Sequence, residues 1–172
     1  MEQATGLPAA QSGGLPYSCG ASRRLASRAI RRIALQMELI VEIVLMVHSI
    51  VRWLIVGVGV LAVLDLAVGW LFRRPFGQRD RGLVAAFTGL MDLQVLLGII
   101  FLVWSGLAED GFPFYRIAHG LIMLVAAGAA HLNVRWKTSP DRLRFRTALT
   151  AIVIALLLVT AGVAVLPDGL SR

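Results

Sequence analysis

Cysteine is nearly absent from this chain: Cys19 stands alone among 172 residues. That excludes an intrachain disulfide and any cysteine-based metal cluster. Charge is scarce as well, at 16% of residues, well below the roughly one quarter usual in soluble domains. Acidic residues number only 10 against 17 basic ones, leaving a net charge of +7. No nucleophile motif and no glycine-rich phosphate loop occurs, so no familiar class of soluble enzyme fits and no enzyme class is assigned. What fills the chain is apolar: 58% of residues are hydrophobic, with a mean hydropathy of +0.77. These values describe a polytopic membrane protein. The basic residues gather beside the apolar runs, where the positive-inside rule places them, and nucleic acid is not an expected partner.

Four apolar runs are long enough to cross a bilayer, because about twenty residues at ~1.5 Å each span a ~30 Å hydrocarbon core. The expected spans are about 50–72, 83–105, 114–136 and 147–166, the last stopped by Pro167, Asp168 and Gly169. Short loops make sequence neighbours antiparallel, and the expected fold is an all-α, integral membrane four-helix up-and-down bundle over residues 37–172. The third span carries the small run Ala126, Ala127, Gly128, Ala129, Ala130. Such a run admits a close neighbour, so this helix is expected in the interior of the bundle. Residues 1–36 differ from the rest, rich in Gly, Pro, Ser and Ala and then in arginine from Ser22 to Arg32. They read as a disordered or basic N-terminal extension upstream of a start at Met37 or Met46, or as an amphipathic surface helix.

Loop charge gives orientation. The first loop carries Arg73, Arg74, Arg79 and Arg81, and the third carries Arg135, Lys137, Arg142, Arg144 and Arg146, whereas the second carries Glu109 and Asp110. Loops one and three are therefore expected in the cytoplasm and both termini outside. Depth along the spans then sorts the polar residues into two clusters. An outer one holds His48, Arg52, Trp53, Arg116 and His119; an inner one holds Asp65, Asp92, Gln94 and His131. Ionisable residues inside a membrane are functional candidates, since each costs about 2.5–3.5 kcal/mol at the helix centre on the insertion scale.

Asp65, two turns from the first-loop arginines, has the plainer reading of an ion pair with them. Asp92 and Gln94 lie about 200° apart on their helix, so at most one of them faces a given neighbour. Asp65, Asp92, Gln94 and His131 together are a candidate proton relay. His119 and His131 stand about 18 Å apart along one helix and do not share a site. His48 and His119 are the candidate axial ligands of a b-type haem, one imidazole from each of two helices. Arg52 and Arg116 then stand near the surface for its propionates. Straight counting sets His48 about 12 Å beyond His119, a poor match in depth.

The segments HSIVRWLIV from His48, MDLQVLLGIIF from Met91, AHGLIML from Ala118 and AAH ending at His131 resemble a family of small bacterial four-span membrane proteins labelled cytochrome b-like. The resemblance covers about Met46 to Leu166. The label implies haem b as cofactor. The function read beside it is an electron-transfer cytochrome of the bacterial inner membrane, exchanging electrons with quinone or another membrane subunit within the lipid bilayer. Members of that family usually begin just before the HS..RW element, and many carry Glu where Ala118 stands here, which removes a partner for His119. Two other functions remain open on the residues: a cofactor-free membrane scaffold or accessory subunit, and a small transporter or metal-handling protein.

Overall fold

A computed structural model describes residues 18–108, 111–167 and 169. The chain is all helical: α1 (Ser18–Leu71), α2 (Gln78–Ala108), α3 (Phe114–His131) and α4 (Asp141–Ala164), with a 3₁₀ turn, Leu132–Trp136, prolonging α3. Four helices are long and apolar enough to cross a membrane, and the chain is a multi-pass membrane protein. Glu109, Asp110 and Asp168, to which the sequence assigned an outer loop and a helix stop, lie outside the described residues, as does most of the Gly- and Pro-rich start.

The chain divides into two units, Met1–Ile40 and Val41–Arg172. In the first, the arginine-rich stretch is helical from Ser18, where the sequence offered either an irregular extension or a surface helix. Every residue from Arg24 to Ile40 is exposed.

In the second unit, each helix packs on its neighbours in sequence and α4 closes back onto α1. Phe87 of α2 and Leu156 of α4 both stand against Gly59 of α1, while Met123 of α3 reaches Gly162 of α4. This is the expected up-and-down bundle. Its buried centre alternates large and small side chains: Ile55, Leu66, Phe87, Met91, Phe145 and Ile152 among Ala62, Ala126, Ala130 and Ala155. Lipid tails are as apolar as leucine, so close packing of this kind, rather than exclusion of water, holds membrane helices together.

The alanines of the α3 run are buried as expected, but α3 is not an interior helix. Leu121, Leu124 and Val125 are exposed, and the apolar window of α4 is 39% buried against 28% for α3. A small-residue run reports close approach on one face and leaves the other face unspecified.

The ends of the helices follow from local chemistry. Arg73 closes α1 in the left-handed region at φ 52°, and the Arg74 amide reaches back to the Gly69 carbonyl at 3.1 Å. This is the long bond of a Schellman cap, with Pro75 next to forbid further helix. At the end of α3 the Asn133 side chain takes the Ala130 carbonyl at 2.6 Å. A side chain competing for the backbone in this way favours the tighter 3₁₀ turn that follows. Pro140 then leads into α4, whose first residue is Asp141, an acid where the helix dipole favours one.

Candidate functional site

The polar side chains fall into three places. At the arginine-rich end, Asp65 of α1 accepts from Arg74 (2.9 Å) and from Arg79 (3.1 Å). Arg74 also donates to Asp80 at 2.7 Å. Asp80 is completely buried and its other oxygen accepts the Gly77 amide at 2.7 Å. A carboxylate in the first turn thus caps the start of α2 and anchors the arginine that pins the end of α1. Desolvation works against the charge on Arg74, but the hydrogen bond it donates to Asp65 and the charges of both aspartates outweigh it and raise its pKa above the ordinary value. Phe76 and Phe145 meet edge to face at 4.9 Å beside this network, with Arg144 stacked over Phe76 at 4.1 Å. Asp65 is therefore an ion-pair residue, the plainer of its two sequence readings. Asp80, the most buried charged residue of the network, was absent from the sequence candidates. The signal available was its place three residues after Gly77, at the start of an apolar run.

The second place is the outward seam between α2 and α3, where His131 Nε2 lies 2.9 Å from Asp92 Oδ1. Gln94, two residues on, points inward and is buried, as the 200° offset requires, and its Oε1 has no hydrogen-bond partner. The candidate relay of Asp65, Asp92, Gln94 and His131 thus has three surroundings. Only Asp92 and His131 touch.

The third place is the far end of the bundle. His119 is held by α3 with its Nδ1 at 2.7 Å from the Gly162 carbonyl of α4. An N–H donated to that carbonyl fixes the tautomer and leaves Nε2 as the other nitrogen. His48 comes from α1, within electrostatic range of both His119 and Arg52. Its Nδ1 is buried without a hydrogen-bond partner. Each imidazole lies against a glycine of a neighbouring helix. A Cβ on Gly98 would stand 3.5 Å from the His48 ring, and one on Gly162 would stand 3.6 Å from His119 Nδ1.

Counting along separate spans leaves their mutual slide undetermined, whereas packing at Gly98 and Gly162 sets it. These glycines lie at similar distances, about 30 Å, along α2 and α4 from Gln78 and Asp141.

The arginines of this end are already engaged. Arg116 donates to Ser105 at 3.1 Å and lies over Phe101 at 5.4 Å, and Arg52 lies over Trp53 at 5.6 Å. Each is one helical turn from a histidine, Arg52 four residues after His48 and Arg116 three before His119. Among the described residues no three of His, Cys, Asp and Glu converge as ligands for a metal ion.

No protein-family model, no curated protein and no solved structure matches the chain.

Proposed function

We propose that this multi-pass membrane protein is a b-type haem electron-transfer subunit in which His48 of α1 and His119 of α3 would hold the iron. The observation that carries this reading is the asymmetry of the two imidazoles. His119 has its Nδ1 tied to a backbone carbonyl, the arrangement that orients metal-ligating histidines and raises their basicity. His48 keeps a buried ring nitrogen with nothing to bond, and orphaned buried polar atoms call for an explanation such as an ion outside the protein chain. The donor set fits as well, since haem iron takes imidazole nitrogens as its protein ligands while a bare metal ion asks for more of them.

When bound, such a haem supplies one-electron redox chemistry. The chain's own residues would bind and tune it: His48 and His119 would hold iron, Gly98 and Gly162 keep the space beside the rings clear of side chains, and Arg52 and Arg116 would offer positive charge to propionates. Loops one and three lie in the cytoplasm on this reading, which sets the histidines near the outer face of the bacterial inner membrane. Quinone or a second redox subunit is the partner that such a site requires.

Protein purified from haem-replete cells should show a low-spin b-type spectrum when the dithionite-reduced and oxidised states are subtracted. His48→Ala and His119→Ala should each abolish it, and His131→Ala should leave it in place. Purified wild-type protein without Soret absorbance overturns the haem reading and favours the cofactor-free scaffold.

A further inference from the structure

Asp92 and His131 are hydrogen-bonded to one another where lipid should be. Their side chains remain 54% and 49% exposed on the α2–α3 seam, flanked by exposed Leu93, Leu96, Leu124 and Leu132. Asp92 stands eleven residues beyond Arg81, about 16 Å along the helix and well inside the hydrocarbon layer. Ionisable side chains at such depth face protein or water, because contact with lipid is costly.

Two further observations concern the same face. Gly89 and Gly128, one turn before Asp92 and His131, are both exposed, and a Cβ added to either would meet nothing within 4 Å. No neighbour inside the chain requires them to be glycine. Exposed small residues at this spacing admit the close approach of another membrane helix. The pair also has bonding capacity to spare. The contact of Nε2 with Oδ1 engages one nitrogen and one oxygen, whereas an imidazolium donates from both nitrogens and a carboxylate accepts at both oxygens. Neither Nδ1 of His131 nor Oδ2 of Asp92 has a partner among the described residues.

We propose that this seam is the interface of a two-fold symmetric dimer, in which the Asp92–His131 pair of each copy completes that of the other. Two copies with the same topology are related by an axis along the membrane normal, which places identical residues at identical depth. Across that axis His131 Nδ1–H of one copy meets Asp92 Oδ2 of the second, and the reverse. Two imidazoles and two carboxylates close a ring, and with the imidazoles protonated it is neutral with its donors and acceptors paired. A seam bearing both an acid and a base is complementary to itself, which favours a second copy over an unrelated partner. The inference is independent of haem and stands or falls separately from it.

The test uses the full chain with Cys19→Ser and single cysteines placed by Gly128→Cys or Leu124→Cys on the seam. Leu157→Cys, 65% exposed on α4, is the control. Oxidative crosslinking in native membranes at low expression should give a covalent dimer from the seam positions and none from Leu157→Cys. Adding Asp92→Asn with His131→Gln to the Gly128→Cys chain, nearly isosteric changes that remove the charges, should lower the dimer yield about tenfold. Subunit counting by stepwise photobleaching of a fluorescent fusion gives a readout that needs no substitution in the seam, and two steps are expected. Single-step bleaching, equal crosslinking from Leu157→Cys, or seam cysteines linked only to another protein would each overturn the proposal.

Discussion

At the scale of single residues, the polar groups divide by whether the chain satisfies them. Asp80 is satisfied completely, by the Arg74 guanidinium and the Gly77 amide. Asp80→Ala leaves the Gly77 amide without its acceptor and takes one of two carboxylates from Arg74, which keeps Asp65, so the cost should lie below the roughly 3–5 kcal/mol of a fully stranded buried charge. The thermal midpoint of the detergent-solubilised protein should fall by a few degrees. Asp80→Asn should cost less, because the carboxamide oxygen still accepts from Gly77. An unchanged midpoint for Asp80→Ala would remove the network from the stability of the fold. His48 and Gln94 are the opposite case, each with a buried atom that finds no partner. Of these residues the sequence marked Asp65, Asp92, Gln94 and both outer histidines, because an ionisable or polar type inside an apolar run is visible without coordinates. It did not mark Asp80, whose importance comes from burial by a loop that folds over it.

At the scale of helices, the glycines of α1 show how far packing departs from pattern. Gly57 and Gly69 look alike in sequence, each within an apolar run of α1. A Cβ on Gly57 would meet nothing within 4 Å, whereas one on Gly69 would run into the Phe145 ring of α4. Gly57→Ala should be neutral or stabilising by up to about 1 kcal/mol through helix propensity. Gly69→Ala should destabilise by about 1–3 kcal/mol, the usual cost of overpacking. Thermal unfolding of the two variants side by side measures the difference, and equal midpoints would mean that α1 and α4 do not meet at this point. The four spans and their antiparallel order were legible because length and hydropathy determine them. The slide of one helix against another was not, since it is decided by which small residues face which rings. That is why counting along the spans could not fix His48 against His119 and why the seam of Asp92 with His131 needed coordinates.

For the whole molecule, the open quantity is which end faces the cytoplasm, and the arginines give opposing answers. Loops one and three together carry nine basic residues close to the span ends, and the second loop carries Glu109 and Asp110. The stretch from Ser22 to Arg32 carries five arginines ahead of the first crossing. With four crossings, the residues before the first and after the last share a side, so these arginines and those of the loops oppose one another. The loop residues have the stronger hold, being more numerous and within short loops, and Asp65, Arg74, Asp80 and Arg79 lock that end into a folded network. Both termini should therefore lie outside. A reporter active only in the cytoplasm should be silent when fused after Arg172 and active when placed in the third loop after Thr138. A chain beginning at Met37, freed of the five opposing arginines, should keep this orientation and insert in equal or greater amount. An active reporter after Arg172, or an orientation that inverts when the first 36 residues are removed, would assign the dominant signal to the arginine-rich start of α1.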